Sequence, residues 1–169
     1  NMKTIIKDFS IFLLAFLLFS SCRETGVTIV KDAEEFDQAV ASARPGDVIQ
    51  MGKGVWKDCE LLFEASGTEE KPITLRAMEK GGVVIEGESN LRIAGEHLIV
   101  EGLVFRNGHT PTNEVISFMK EDGIYASHCR LTECVIDNFN NAERFESENW
   151  VVLYGRHNRV DHCCFTDKR

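Results

Sequence analysis

The stretch His97–Asn107, HLIVEGLVFRN, returns as His128–Asn138, HCRLTECVIDN, and again as His157–Asp167, HNRVDHCCFTD, at offsets of 31 and 29 residues. The copies agree column by column. Val100, Leu131 and Val160 share one apolar column, Leu103, Cys134 and Cys163 a second, and Phe105, Ile136 and Phe165 a third. Polar columns alternate with them: Glu101, Thr132 and Asp161, then Arg106, Asp137 and Thr166. Successive side chains of a strand face opposite ways, so each copy reads as a short strand, a polar bend and a second short strand. Repetition at this period predicts an all-β, right-handed parallel β-helix with Val100, Leu131 and Val160 stacked inward. Such solenoids present long exposed sheets, suited to gripping an extended polymer.

Val115–Phe118 and Trp150–Tyr154 supply a third strand per coil. The polar loops His109–Asn113, Lys120–Ser127 and Asn140–Asn149 lie where a substrate cleft would be walled. From Asp47 onward the reading is nearly all β, with short strands closed by Gly87, Gly95 and Gly102. A β-sandwich is the rival. It is disfavoured by the aligned columns and by the scarcity of hairpin pairs, Asn107-Gly108 being the one instance noted.

Ahead of the coils, Val27–Val30 reads as a strand and Asp32–Ala43 as a helix. Asp32 and Glu35 form its capping box, and Phe36, Ala39, Val40 and Ala43 line one apolar stripe. Pro45-Gly46 stops it. A solenoid's open end needs a cover, and this helix is the expected plug. Residues 1–22 read as an export signal: Lys3 and Lys7, the apolar run Ile11–Phe19, then Ser20-Ser21-Cys22. A Cys after small residues is similar to the lipobox of bacterial lipoproteins, so Cys22 is the expected lipidation site, 23–26 a linker and 27–169 the solenoid domain. The alternative is an ordinary secretory signal with an incidental Cys22. Either way the expected location is outside the cytoplasm; on the lipobox reading it is the periplasm or the bacterial outer membrane or cell surface, held by a lipid anchor.

A net charge of −8 argues against nucleic acid as a partner. An acidic protein still binds an acidic ligand where cations are concentrated locally. Five cysteines follow Cys22, and Cys134 and Cys163 fall in one inward column. Parallel side chains in register do not favour a disulfide; stacked free thiols are the expected state. Zinc bound by His128, Cys129, Cys134, His162 and Cys163 is a weaker alternative, because no pair has the usual two-residue gap.

Several motifs together resemble polysaccharide lyase family 6, the alginate lyases and chondroitinase B. They are Ala43–Ile49 with Gly54-Val55-Trp56, Gly67-Thr68 with Lys71–Leu75, Val84–Gly87, Gly102–Gly108, and Trp150–Gly155 with Asn158–Cys163 and Phe165. The resemblance runs from about Val27 to the last residue. It implies cleavage of uronate polysaccharide by β-elimination: calcium neutralises the carboxylate, a lysine removes the C5 proton and an arginine assists the leaving oxygen. The family places these groups on later coils, and no position here matches them. The expectation is therefore an N-terminal, truncated part of a lyase, inactive alone, with no catalytic residue or calcium ligand in this chain. The anionic substrate is read as alginate, with dermatan or chondroitin-type chains as the alternative. Two other classes stay open: a non-catalytic surface protein that binds polysaccharide, and a pectin-type β-helix enzyme.

Arg106 and Arg144 are the candidate substrate-binding residues, because a guanidinium fork matches a uronate carboxylate. Lys168-Arg169 is read as a polar corner rather than a base–acid pair. The column His97, His128, His157 is read as structural, and so is Asn107, Asn138, Asp167, as an internal hydrogen-bonded ladder. Asp161 and Arg159 are expected to hold their bend. His162 and Asp161, as strand neighbours, are expected to face apart. Trp56 and Trp150 are assigned to packing.

Overall fold

The computed structural model describes residues 26–143 and 148–169. Strand β1 (Val27–Val30) is followed by helix α1 (Ala33–Ser42) and then by a right-handed parallel β-helix. Its first coil is β2 (Val48–Met51), β3 (Gly54–Lys57) and β4 (Glu60–Ser66). The second is β5 (Ile73–Ala77), β6 (Val83–Glu88) and β7 (Asn90–Glu96). The third runs β8 (Leu98–Glu101), β9 (Leu103–His109), β10 (Glu114–Ser117), β11 (Met119–Glu121) and β12 (Ile124–Ser127). The fourth is β13 (Arg130–Thr132), β14 (Val135–Asp137) and β15 (Asn149–Val152), and a fifth begins with β16 (Arg159–Asp161) and β17 (Cys164–Thr166).

These strands stack into three faces. Sheet A is β1-β2-β5-β8-β13-β16; sheet B is β3-β6-β9-β14-β17; sheet C joins β4, β7, β10, β12 and β15. The inward columns are in register. Ile49, Leu75, Val100, Leu131 and Val160 align in sheet A, and Trp56, Ile85, Phe105, Ile136 and Phe165 in sheet B. Leu75, Val100, Leu131, Ile85, Phe105 and Ile136 are fully buried. At roughly 1.5–3 kcal/mol per buried large apolar side chain, this repeated column is the main source of stability.

Sheet A begins ahead of Asp47, inside the expected 27–169 domain, because β1 pairs with β2 in register, Val27 opposite Val48. One expectation is corrected. The segment Lys120–Ser127 is not a loop. β11 and β12 form an antiparallel hairpin, the Asp122-Gly123 tip using a positive φ of 89° at the glycine. This hairpin splits the third strand of its coil: β10 pairs with the start of β7 and β12 with its end. Asn107-Gly108, by contrast, lies within β9.

Helix α1 begins at Asp32, whose Oδ1 accepts from the Glu35 N–H at 2.8 Å. Glu35 Oε2 accepts from the Lys31 N–H at 2.8 Å, one residue before the usual capping-box donor. Phe36, Ala39 and Val40 are buried in the same core as Val30, Met51 and Phe63, and α1 packs on β4, β1 and β2. It closes the N-terminal end as expected.

The corners use left-handed backbone. Asp58, Gly87, Asn107, Asn138 and Asp167 hold such corners in successive coils, with φ between 46° and 70°, a register shift placing Gly87 opposite Gly108. Asn and Asp tolerate that conformation better than other non-glycine residues. Asn107, Asn138 and Asp167 are exposed, so this column is an outer corner and not an internal ladder. Asn107 Nδ2 donates across coils to Glu86 Oε1 at 3.0 Å, and Asn140 Nδ2 donates within its own corner to Asn138 Oδ1 at 3.0 Å.

Candidate functional site

The motif Leu153-Tyr154-Gly155 with Asn158–Cys163 builds scaffold. Gly155 has φ 80°, and a Cβ there would sit 2.0 Å from the Ala126 carbonyl oxygen, so only glycine fits. The Tyr154 hydroxyl donates to Glu114 Oε1 at 2.6 Å, and that carboxylate pushes the phenol pKa up. Asn158 staples two coils: its Nδ2 donates to the Tyr154 carbonyl at 2.6 Å and the Ala126 carbonyl at 2.9 Å, while its Oδ1 accepts from the Cys129 N–H at 2.9 Å.

Asp161 is the hub of the last bend. Arg130 donates to it through Nε and Nη2 at 2.8–3.2 Å, Thr132 Oγ1 at 2.7 Å, and Arg159 through an ion pair. The expected bend-holding role is met. His162 Nδ1 also lies 2.9 Å from Asp161 Oδ1, contrary to the expectation that the two face apart. His162 stands at φ 52°, so strand alternation ends before it. The Arg130 guanidinium, then His162 and Thr132, hold the Asp161 carboxyl well below the usual range. A carboxylate so engaged is a poor general base.

The cysteines are free: Cys59, Cys129 and Cys134 buried, Cys163 half-buried and Cys164 exposed. Donation to the Cys163 sulfur and burial push the Cys134 thiol well up, and burial raises Cys59 and Cys129. The zinc candidates do not converge. The His128 ring stacks between His97 and His157, with centroids at 4.9 and 4.6 Å, whereas His162 sits at the opposite end of the sheet A strands. Among the described residues no three His, Cys, Asp or Glu side chains are placed to hold a metal ion. The described residues therefore do not fit the calcium that the family resemblance implies.

Arg106 lies exposed on the outer face of β9, in register with Asp137. Glu86 accepts from Asn107 and Asp137 from Thr166 Oγ1 at 3.1 Å, so the Arg106 guanidinium has no hydrogen bond or ion pair among the described residues. Arg144 and Cys22 lie outside the described residues.

Beyond the sheet B corner is a cleft of about 530 Å³, bordered by Asn140, Asn141, Glu143, Glu148, Lys168 and Arg169. It falls on the Asn140–Asn149 segment expected to wall a substrate groove. Glu148 is buried, and its two oxygens accept from the Asn141 N–H at 2.8 Å and the Thr110 N–H at 3.3 Å, which anchors the loop. Lys168 Nζ lies 5.3 Å over the Trp150 ring, and the Arg169 N–H donates to Asn140 Oδ1 at 3.1 Å. The pair thus lies at a polar corner beside the cleft. Both tryptophans pack: Trp56 is 6% exposed, and Trp150, 8% exposed, donates to the Phe139 carbonyl at 2.6 Å. The cleft thus brings two amides, two carboxylates and two cations together.

Residues 30–169 match the family model described as Chondroitinase B. Among solved structures, the PL6 family alginate lyase AlyGC is 55% identical over 85% of this chain, with a TM-score of 0.84. A mannuronic acid specific polysaccharide family 6 lyase from human gut microbiota is 35% identical over 86% of the chain, with a TM-score of 0.81. The PL6 family polysaccharide lyase Pedsa3628 from Pseudopedobacter saltans is 37% identical over 81%, with a TM-score of 0.75. The chain spans 20%, 35% and 30% of the lengths of these three proteins. No curated protein matches it. Given the in-register coils and the corner motifs built around Gly155, Asn158 and Asp161, the chain belongs to polysaccharide lyase family 6, which holds chondroitinase B and the alginate lyases.

Proposed function

We propose that this chain is part of an exported, lipid-anchored lyase that cleaves alginate or a related uronan by β-elimination. The observation that carries the reading is the 55% identity to a PL6 alginate lyase over 85% of the chain. In such a reaction the C5 proton is removed, its electron pair forms a C4–C5 double bond, and the C4–O bond breaks with a proton passing to the departing oxygen. The described residues would not hold calcium; on later coils the ion would supply positive charge beside the uronate carboxylate. The residues here are assigned to holding the polymer: Arg106 with its unengaged guanidinium, Arg144, and the amide-lined cleft at Asn140.

The test is absorbance of the unsaturated uronate product. A protein carrying this chain with the later coils of the family should release it from alginate and lose that activity on calcium chelation. The 169-residue chain alone should release none. Product from the pure chain would return Lys168 and Arg169 to candidacy. No product from the longer protein on alginate and on glycosaminoglycans would sink the lyase reading and favour a binding protein.

A further inference from the structure

The corner where sheet C turns into sheet A carries a local excess of cationic and imidazole groups on a chain of net charge −8. The turn residues of successive coils are Glu96-His97, Ser127-His128 and Arg156-His157, in register. All three histidines have φ between 51° and 56°, which fixes them at the corner instead of in a strand. Their rings stack with interplanar angles of 18° and 26°. None of the three rings gives a nitrogen to a hydrogen bond with another described residue, and neither does the exposed Arg156 guanidinium make one or an ion pair. Two residues on, Arg130 and Arg159 stand outward on sheet A, fixed by Asp161 and with side chains 40% and 66% exposed.

The other end of the row is acidic. Glu96 is exposed beside His97, and the Gly67–Pro72 turn carrying Glu69 and Glu70 lies against the His97 backbone. Attraction for an anion is thus confined to the last two coils. There, donors recur at the coil spacing, 4.6 Å between the His128 and His157 ring centroids, a step comparable to one sugar of an extended 1,4-linked chain.

We propose that His128, Arg156 and His157 form a carboxylate-binding strip that holds a uronate polymer along the solenoid axis, away from the Asn140 cleft. The assignment rests on the polyuronate reading above and adds to it a second contact surface. A long chain engaging both surfaces gains by local concentration what each weak contact lacks.

The test is affinity electrophoresis of this chain through gels containing alginate or, in parallel, neutral dextran. The unmodified chain should be retarded by alginate alone, and less so as salt rises. The triple variant Arg156→Ala, His128→Asn, His157→Asn should bind about tenfold more weakly. Asn tolerates the left-handed corner, and an unchanged thermal midpoint would show that the coils persist. Lys57→Ala, which removes an exposed cation from sheet B, should leave retardation as it was. Undiminished retardation of the triple variant would overturn the strip, and so would equal retardation in dextran or none in alginate. The unsaturated-product assay on the longer protein is scored separately, so loss of the strip and loss of the lyase reading are distinguishable.

Discussion

Gly155 and Gly123 both have φ near 80–90°, but only Gly155 is crowded, with the Ala126 carbonyl 2.0 Å from where a Cβ would stand; around Gly123 nothing lies within 4 Å. Gly123→Ala should therefore cost about 1 kcal/mol, the backbone cost alone. Gly155→Ala should cost ~3 kcal/mol or more, because the coils must part. Urea unfolding of the two variants separates the effects. Asp161 allows a test by pH. Its carboxyl is held below the ordinary value of about 4. With the folded pKa depressed, its contribution is complete above that ordinary value and is lost as pH falls toward the folded one. The stability gap between the unmodified chain and Asp161→Asn should be constant from neutrality down to about pH 5 and shrink below it. A gap that stays level through the acid limb of a urea–pH series would show that Asp161 acts through shape and not charge.

At the scale of elements, α1 is the piece whose removal has the clearest outcome. Phe36 is fully buried between the helix and the first coil, so Phe36→Ala should cost about 3–5 kcal/mol. If denaturant unfolding finds less than about 1 kcal/mol, the helix is not the plug of the core. The helix itself was legible in the sequence, since Asp32, Glu35 and the Phe36/Val40 stripe are local signals. So were the columns of the later coils, where the offsets are 31 and 29. The earlier coils keep the same columns at shorter and uneven offsets, Ile73 opposite Leu98 at 25 residues and Val83 opposite Leu103 at 20. A fixed period does not see them. The hairpin at Met119–Ser127 hid because its pairing is non-periodic within a periodic fold, although Asp122-Gly123 is a turn pair that marks it. His162 beside Asp161 was missed because the corner's positive φ is a backbone property with no side-chain signature on histidine. Arg156 was missed because it lies just before the repeated block, and only coil stacking brings it beside His128.

For the molecule as a whole, the site was the least legible part. Arg106 stands unpaired among the described residues, but the grouping of Asn140, Glu143 and Lys168 around a cleft arises from stacking coils that bring Asn140 against Asp167, 27 residues on. The proposed anchor also concerns the whole protein. Cys22→Ser should release it from membranes and abolish palmitate labelling, whereas unchanged membrane retention of that variant would mean a different attachment.

The helix over the first coil gives the assembly a direction. In sheet A the helix packs against the β1 end, while β16 is the edge on which a following coil is laid, and α1 is made early in synthesis. Folding then resembles growth of a polymer from a terminated end: the plug and β1 form a seed, and each coil leaving the ribosome is laid on the one before. A destabilised helix would do more than lower a melting point. It would remove the seed, and later coils would meet water, or one another, with no ordered surface to join.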